Sequence, residues 1–417
     1  MQHIIIGAGP AGVIAAETLR KTDPDAKISI IGDEPEPAYS RMAIPYYLID
    51  NVKESGTYLR DPEQHFKAQN IEVLQQRVDS IDTQGKSLSL ADGSSRGYDK
   101  LLIATGSHPV SPPIPGLDLP QVHSCWTLED ARNIIRLAQA GSNVVLIGAG
   151  FIGCIILEAL VKRGVNLAVV EMGNRMVPRM LDEKAGGLLE TWCKKEGIDV
   201  HTSCSVEGIA AAGDDQVEVS LSDGSKSSAA LVITATGVKA NTDLVNGTDI
   251  KTDQGILVNR RMQTSNADVY AAGDVAQGVD FSTGNFEVQA IQPTATDHGR
   301  IAALNMAGAG GEHHGTLNMN VLDTVGLISC SFGLWMGVDG GESASLYNPD
   351  EFQYINLQFD GDHLVGASSV GKTQHVGVLR GLIESKIHLG DWKDRLLQDP
   401  TAIMEAYIGC TQELGYA

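Results

Sequence analysis

The sequence predicts an α/β protein with two doubly wound, parallel-sheet units and a C-terminal α+β segment. A short apolar strand, a glycine-rich turn and a helix follow one another twice, at residues 3–21 and again at residues 143–162. A second apolar strand follows each helix, at residues 27–31 and 167–170, which completes a βαβ unit. After about residue 316 the glycine-rich turns stop, and alternating apolar residues predict a hairpin over 351–368 and helices over 373–385 and 392–398.

The length and composition of the chain favour several domains. The chain has 417 residues, 42% of them hydrophobic, and 46 glycines, which is too long for one ordinary domain and typical of a turn-rich globular protein. Four prolines between residues 109 and 115 indicate a linker. We therefore predict one nucleotide-binding domain over 1–113 and 240–316, a second over 114–239, and a C-terminal interface domain over 317–417.

The charge and the cysteines exclude several function classes. A formal net charge of −21 disfavours nucleic acid and anionic membranes as partners, because both would repel the chain. No apolar run reaches the length of a membrane span and no secretory signal is present, and the six scattered cysteines contain no CxxC pair. We expect a cytoplasmic protein with reduced thiols and no metal site, and we expect His313-His314 to lie in a solvated loop.

The first glycine-rich turn has the pattern of a dinucleotide-binding site. Gly7 would permit the tight turn, Gly9 would let a pyrophosphate approach the backbone, and Gly12 would let helix and strand pack closely. The helix N-terminus would then offer unpaired N–H groups to the phosphates. An acidic residue about twenty positions further on should bind a ribose hydroxyl, and Glu34 is the candidate, with Asp33 as its rival.

The second turn repeats the pattern with a different acidic residue. Gly148, Gly150 and Gly153 occupy the three glycine positions, and Glu171 closes the following strand. A carboxylate there would accept hydrogen bonds from the adenine ribose and repel a 2′-phosphate, which favours NADH over NADPH. Arg175, four residues later, leaves a phosphate-binding alternative open.

Three further segments make the resemblance specific. Residues 104–109, 234–241 and 269–275, taken with the two turns, resemble the FAD/NAD-linked reductases of the pyridine nucleotide–disulfide oxidoreductase superfamily, in order across residues 3–308. Residues 32–41 and 292–308 resemble the ferredoxin and rubredoxin reductases and the flavin-bearing part of NAD(P)H nitrite reductases. The resemblance implies that FAD binds the first turn, that Asp274 holds the ribitol, and that a helix starting near Thr294 directs its N-terminus at the flavin ring.

The predicted site residues follow from the turns and from this resemblance. The resemblance places Tyr46 at the flavin, although Tyr46 could instead pack a helix, and we take Tyr46 and Arg41 as candidate catalytic residues. The candidate cofactor-binding residues are Gly7, Gly9, Pro10, Ala11, Gly12, Asp33, Glu34, Arg41, Ala104, Thr105, Gly106, Gly148, Gly150, Phe151, Ile152, Gly153, Glu171, Gly237, Gly273, Asp274, Pro293 and Thr294.

Three departures from the family pattern affect the predicted reaction. The coenzyme A disulfide reductases carry a redox cysteine where this chain has Met42-Ala43, so disulfide reduction by that route is disfavoured. Tyr46 stands where the ferredoxin reductases usually place a lysine, and Ile155 stands where they place a glutamate. Because losing both partners of a buried pair is less costly than losing one, we interpret this as a coordinated change to a more apolar site.

The favoured function is therefore an FAD-dependent NADH oxidoreductase. Hydride would move from NADH to the flavin, and the electrons would pass to an acceptor such as a small redox protein or a partner oxygenase. Two alternatives stay open: a reductase or oxidase that acts directly on a small molecule, and a flavoprotein whose NADH binding regulates assembly. The resemblance also implies a homodimer formed through the C-terminal domain, and a partner subunit stays open.

Overall fold

The computed structural model describes residues 1–213 and 215–415. The chain forms two compact units: unit 1 comprises Met1–Val110 and Val238–Thr316, and unit 2 comprises Ser111–Gly237 and Leu317–Ala417. The chain thus passes between the units three times, first within the proline-rich stretch. The finer division into three domains stays a prediction.

The elements of the described residues alternate between strands and helices through both units. The helices are α1 (Pro10–Thr22), α2 (Ile44–Leu48), α3 (His65–Ala68), α4 (Leu128–Leu137), α5 (Phe151–Lys162), α6 (Glu183–Lys195), α7 (Gln292–Met306), α8 (Val376–Ser385), α9 (Asp391–Gln398) and α10 (Ile403–Gly415). The strands are β1 (Gln2–Ile6), β2 (Lys27–Gly32), β3 (Ile71–Gln75), β4 (Val78–Asp82), β5 (Ser87–Leu90), β6 (Ser95–Gly97), β7 (Lys100–Ile103), β8 (Ser107–Pro109), β9 (Val122–Ser124), β10 (Asn143–Ile147), β11 (Asn166–Val170), β12 (Asp199–His201), β13 (Val206–Gly213), β14 (Gln216–Leu221), β15 (Lys226–Ala229), β16 (Leu231–Thr234), β17 (Val238–Ala240), β18 (Ile256–Leu257), β19 (Val269–Ala271), β20 (Ala276–Val279), β21 (Phe286–Val288), β22 (Met319–Thr324), β23 (Leu327–Gly333), β24 (Glu342–Asn348), β25 (Gln353–Asp360) and β26 (His363–Val370).

Unit 1 is built on a parallel sheet of order β19-β7-β1-β2-β3. Its central strands are near-continuous apolar runs because helices and loops cover both faces, as in other doubly wound sheets. Ile5, Ile30 and Leu102 are fully buried there. Small antiparallel sheets, β4-β5-β6, β18-β20-β21 and the pair β17-β8, complete the unit. The doubly wound fold predicted for the first glycine-rich turn is confirmed.

Helices α1 and α7 cross at a glycine in unit 1. A Cβ atom added to Gly299 would lie 2.2 Å from the carbonyl oxygen of Ala11. Only a residue without a side chain therefore lets the two helices approach this closely. This contact fixes α7, which begins at Gln292 close to the start predicted from the sequence, against the helix that follows the first glycine-rich turn.

Unit 2 contains the second parallel sheet, of order β12-β11-β10-β16-β9. Val144, Leu146 and Val169 are buried in its centre. The three-stranded antiparallel sheet β13-β14-β15 packs its apolar face into a core cluster with Val145 and Val232. The second predicted doubly wound sheet is thereby confirmed.

The C-terminal part of unit 2 is an antiparallel sheet of order β22-β23-β26-β25-β24 with helices α8, α9 and α10. The predicted hairpin is present, because β25 and β26 pair up to Asp360 and His363. The two predicted C-terminal helices correspond to α8 and α9. No helix in the described part of the chain is long and apolar enough to cross a membrane.

The expectation of a solvated loop at His313-His314 is wrong for its first residue. His313 is buried, and its ring meets the ring of His298 edge to face at 4.7 Å between centroids. Nε2 of His313 also lies 3.3 Å from a carboxylate oxygen of Asp297. Among the described residues, no group of three or more His, Cys, Asp or Glu side chains is placed to hold a metal ion.

The histidine pair predicts acid sensitivity for unit 1. Burial and, to a smaller extent, the neighbouring His313 lower the pKa of His298 to about 3, with Asp297 opposing the shift. Because the folded pKa lies below the unfolded value, the unfolded chain binds the extra proton, and stability is lost as pH falls from about 6.5 toward 3. We expect the free energy of unfolding to fall by up to about 1.4 kcal/mol per pH unit through this group alone. In urea unfolding at pH 5 and pH 7, His298→Gln should reduce this pH dependence, whereas the exposed neighbour His314→Gln should not; equal behaviour of the two variants would contradict the assignment.

Candidate functional site

The first glycine-rich turn leaves a gap over the N-terminus of α1. Gly7 has φ +113°, and a Cβ atom there would lie 2.1 Å from the carbonyl oxygen of Ala104. A Cβ atom on Gly12 would lie 2.0 Å from the carbonyl oxygen of Gly7. A Cβ atom on Gly9, in contrast, would meet nothing within 4 Å. The first and third glycines therefore pack backbone against backbone, and the middle glycine faces open space.

The start of α1 is suited to an anionic group. Gly9 is the N-cap and has no side chain that could bind the first-turn N–H groups, and Pro10 begins the helix. Ala11 is buried behind this turn. Because a helix N-terminus carries partial positive charge and unpaired N–H donors, a pyrophosphate fits the gap at Gly9.

Glu34 lies in a network at the end of β2. Nη2 of Arg41 donates to Oε1 of Glu34 at 2.6 Å, and the Tyr39 hydroxyl donates to the other carboxylate oxygen. Nη1 of Arg41 donates to that same hydroxyl at 2.9 Å. Asp33 is exposed, and its side chain lies outside this set of contacts. Glu34 therefore has a fixed position at the end of β2 whereas Asp33 does not share it, and the network adds Tyr39, which the sequence did not single out.

Asp274 is held by a serine that sequence reasoning also missed. The Ser107 hydroxyl donates to Oδ2 of Asp274 at 2.8 Å. Burial raises the pKa of Asp274, while the Ser107 hydrogen bond and the charge of Arg41 oppose the shift. Ser107 follows directly on Ala104-Thr105-Gly106, so its position in that segment was the available signal.

Residues 104–109 and 234–241, two of the segments that carry the family resemblance, are hydrogen-bonded to each other through Asn241. Nδ2 of Asn241 donates to the carbonyl of Thr105 at 2.7 Å, and the Thr105 hydroxyl donates to the carbonyl of Asn241 at 3.0 Å. The backbone N–H of Asn241 also donates to Gly106, whose φ is +68°. Thr105 and Gly106 are therefore held by Asn241, which directly follows β17.

Helix α7 begins beside this group of residues. The Ser40 hydroxyl donates to the side-chain oxygen of Gln292, the first residue of the helix. Pro293 is exposed and Thr294 is buried in the first turn. A Cβ atom on Gly273 would lie 3.3 Å from Cβ of Ala11. Unit 1 thus brings together the N-termini of α1 and α7, the Glu34–Arg41 pair and Asp274.

Tyr46 is an exposed residue on a short helix. It lies in α2, and 57% of its surface is accessible, so it does not serve as a packing residue within unit 1. The exposed fraction of Met42, one turn earlier, is 49%. The catalytic roles suggested for Tyr46 and Arg41 stay predictions.

The second glycine-rich turn repeats the backbone geometry of the first. Gly148 has φ +100° and its added Cβ would lie 2.5 Å from the carbonyl oxygen of Ala235, while that of Gly153 would lie 2.1 Å from the oxygen of Gly148. A Cβ atom on Gly150 would meet nothing within 4 Å. Three further candidate residues are partly exposed, namely Phe151 and Ile152 in the first turn of α5 and Gly237.

The carboxylate of Glu171 is fixed by two backbone donors. Its Oε2 accepts from the N–H of Ala149 and its Oε1 from the N–H of Gly173, both at 2.7 Å. Arg175 directs its guanidinium elsewhere: Nε donates to the carbonyl of Leu181 at 2.9 Å. The structure therefore gives Glu171 a defined position at the turn and gives Arg175 partners within its own loop.

The thiols of the chain are unsuited to redox chemistry. All six cysteines are free and buried. Burial raises the pKa of Cys125, Cys193 and Cys330 to about 12, and it raises that of Cys154 well above its usual value. Because the thiolate is the reactive form, these side chains are inert at neutral pH. The burial of Cys154 and Cys330 is that of small packing residues.

The family described as pyridine nucleotide-disulphide oxidoreductase matches residues 1–300. The chain belongs to this family. The family binds FAD and depends on NADH, so the predictions of an FAD-dependent oxidoreductase and of its two cofactors are confirmed.

Two relatives and one solved structure illustrate this membership. The NADH-dependent phenylglyoxylate dehydrogenase subunit epsilon of Aromatoleum evansii is 31% identical, with 96% of each chain covered. An NADH oxidase of Methanocaldococcus jannaschii is 35% identical over 77% of this chain and 73% of its own. A ferredoxin reductase from Rhodopseudomonas palustris is 28% identical, with a TM-score of 0.81 and coverage of 89% of this chain and 91% of its own.

The middle glycines give a test of cofactor binding that is separate from folding. Gly9→Ala and Gly150→Ala should fold normally, because the added methyl group meets open space in the protein. Gly9→Ala should weaken FAD binding by about tenfold or more, and Gly150→Ala should raise the KM for NADH by about as much while FAD content stays unchanged. FAD content by absorbance and steady-state kinetics measure the two effects. Normal binding in both variants would contradict the placement of the pyrophosphates.

The Ser107–Asp274 contact predicts graded loss of FAD. Asp274→Ala should weaken FAD retention strongly, since the ribitol hydroxyls would lose a buried acceptor. Ser107→Ala should weaken it less, by about 1 kcal/mol, because only the hydrogen bond that orients the carboxylate is removed. Equilibrium dialysis of FAD against the apoprotein of each variant measures the two dissociation constants. A fully yellow Asp274→Ala protein would show that the ribitol contact lies elsewhere.

Proposed function

We propose that the chain takes electrons from NADH, bound at the second glycine-rich turn, into FAD, bound at the first, and passes them to a redox protein or a partner subunit. The observation that carries this is the duplication of the turn. Each copy has an open middle glycine, an uncapped helix N-terminus and a positioned acid at the end of the next strand. When bound, FAD supplies the chemistry that accepts a hydride and releases electrons onward.

The residues of unit 1 fit a flavin dinucleotide in particular. In this proposal the N-terminus of α1 holds the pyrophosphate, Glu34 binds the adenine ribose, and Asp274 accepts from the ribitol. Arg41 adds a positive charge that acts on both carboxylates, through its ion pair with Glu34 and its effect on the pKa of Asp274. The N-terminus of α7 supplies a second partial positive charge to the flavin end.

In this proposal NADH is the preferred donor because the Glu171 carboxylate would repel a 2′-phosphate on the adenine ribose. Its two oxygens are held by backbone N–H groups, so the carboxylate cannot move aside easily. Arg175, the alternative phosphate ligand, donates instead to acceptors within its own loop. The relative from Aromatoleum evansii is also described as NADH-dependent.

The acceptor proposed first is another protein. The Rhodopseudomonas palustris neighbour is a ferredoxin reductase, and the Aromatoleum evansii relative is one subunit of a larger enzyme and matches nearly the whole chain. Direct reaction with oxygen is the second candidate, because the Methanocaldococcus jannaschii relative is an NADH oxidase. We further propose a cytoplasmic homodimer, and the six free thiols support a reducing compartment.

Anaerobic stopped-flow reduction tests the donor and the role of the flavin. NADH should bleach the flavin absorbance within seconds, and NADPH should do so at least about tenfold less efficiently, since its 2′-phosphate meets Glu171. Unchanged absorbance with NADH would favour the regulatory alternative, and equal rates with both donors would contradict the role of Glu171.

Turnover with different acceptors then separates the two candidate destinations. NADH consumption should be slow with oxygen alone and should rise when an iron–sulfur protein is added. Fast consumption with oxygen alone and no effect of the iron–sulfur protein would favour the oxidase candidate instead.

A further inference from the structure

The loop that follows Glu171 is unusually constrained. We call residues 172–181 the brace loop. Met176, Val177, Met180 and Leu181 are buried, although a loop at a nucleotide site is commonly exposed. Nothing in the proposed electron transfer requires this degree of order.

The brace loop and Glu171 each form a hydrogen bond with the backbone of Ala149. The N–H of Val177 donates to the carbonyl of Ala149 at 2.8 Å, and the N–H of Ala149 donates to Glu171 at 2.7 Å. Ala149 lies between Gly148 and Gly150, so both polar groups of this turn residue are fixed. The orientation of the turn and the position of the Glu171 carboxylate are therefore coupled through one residue, Ala149, whose two adjacent peptide groups are both hydrogen-bonded.

Val177 maintains this contact in a strained conformation. Its φ is +43°, in the left-handed region that a β-branched residue rarely adopts. Such strain persists only where surrounding contacts over-determine the backbone, and it is most frequent at binding sites. The buried side chain and the 2.8 Å hydrogen bond to Ala149 are two such contacts.

Arg175 closes the brace loop on itself. Its Nε donates to the carbonyl of Leu181 at 2.9 Å and its Nη2 to the carbonyl of Pro178 at 3.2 Å. Its Nη1 donates to the side-chain oxygen of Asn174 at 2.8 Å. All three nitrogens of the guanidinium therefore serve to hold the loop in shape.

A glycine in the first turn of α6 makes room for this arginine. A Cβ atom on Gly186 would lie 2.7 Å from the carbonyl oxygen of Met176 and 3.0 Å from Cβ and Cδ of Arg175. A Cβ atom on the next residue, Gly187, would meet nothing within 4 Å. Glycine weakens a helix interior, so the close approach of Arg175 gives Gly186 a structural purpose that Gly187 lacks.

We propose that Arg175 and Gly186 are positioning residues for dinucleotide specificity. They hold the brace loop so that Val177 binds the carbonyl of Ala149 while Glu171 binds its N–H, and the fixed carboxylate discriminates a ribose 2′-hydroxyl from a 2′-phosphate. Arg175 thus favours NADH by holding the brace loop in place. This effect is opposite to that of the phosphate-binding role which its charge suggests, since that role would favour NADPH. This inference rests on the proposed role of Glu171.

The matched alanine substitutions in α6 test the proposal. In the FAD-loaded protein, with ferricyanide as acceptor, kcat/KM is measured for NADH and for NADPH. Gly186→Ala should lower the NADH/NADPH selectivity ratio by about tenfold, the scale of one hydrogen bond to a charged group, through a higher KM for NADH at unchanged kcat. Gly187→Ala should leave the ratio unchanged. A melting temperature for each variant identifies general unfolding, and an unchanged ratio in folded Gly186→Ala overturns the proposal.

Arg175→Met supplies a second test in which the two roles of Arg175 predict opposite signs. This variant keeps most of the aliphatic stem and removes all three hydrogen bonds. A bracing role predicts a lower selectivity ratio, because Glu171 loses its fixed position. A phosphate-binding role predicts a higher ratio, because only NADPH would lose a contact, and that result overturns the proposal.

Glu171→Gln separates this inference from the proposed function on which it rests. If the unmodified protein does not prefer NADH, or if Glu171→Gln keeps the preference, the proposed role of Glu171 fails and the inference fails with it. If Glu171→Gln loses the preference while Gly186→Ala and Arg175→Met retain it, the bracing proposal alone is overturned.

Discussion

The backbone contact between the first and third glycines of each turn is the constraint on which both nucleotide sites depend. In each copy an added Cβ on the third glycine would lie 2.0 or 2.1 Å from the carbonyl oxygen of the first. This contact sets the distance and angle at which the helix leaves the strand, and therefore the direction in which its N-terminal N–H groups point. The middle glycine faces open space, whereas the first and third glycines of the turn are packed against backbone. The close junction of strand and helix thus leaves a ligand site at the helix N-terminus.

The two acids that accompany these turns are stabilised in different ways. Glu171 accepts from two backbone N–H groups, so its position is set by the main chain. Glu34 is held by Arg41 and Tyr39, so its position is set by side chains. Backbone donors produce a rigid acceptor suited to discriminating between closely similar nucleotides. A side-chain network produces an adaptable acceptor, which is sufficient where only one dinucleotide must be bound.

The features that the sequence predicted correctly are local in the chain. Gly7, Gly12 and the strand and helix around them lie within twenty residues, so composition and spacing reveal them. Ser107 could not be assigned this way, because its partner Asp274 is 167 positions away and only the folded sheet brings β8 and Asp274 together. The burial of His313 was misjudged for a related reason: a polar pair flanked by glycines predicts a loop, and only the packing of α7 encloses it.

The role of Arg175 shows a further limit of motif reasoning. Its charge and its position after the acidic strand end matched a phosphate ligand, and a motif contains no information on which acceptors a guanidinium reaches. The carbonyls of Pro178 and Leu181 are local, but they converge on Arg175 only because the loop turns back at Val177, a residue whose side chain disfavours that turn. Sequence propensity therefore predicts against the conformation that gives Arg175 its partners.

The C-terminal sheet supports the two helices next to the second nucleotide site. Glu158 of α5 accepts from the N–H of Val325 at 3.2 Å, and the indole N–H of Trp192 in α6 donates to the carbonyl of Val325 at 3.1 Å. The tip of the β22–β23 hairpin is thus held between the two helices that flank the brace loop. The Tyr354 hydroxyl donates to Asp182, whose other oxygen caps α6. Helix α5 begins at the second glycine-rich turn, and α6 contains Gly186. The C-terminal sheet therefore supports both helices that determine the geometry around Glu171. This support gives the C-terminal sheet a role within its own chain that does not depend on any partner.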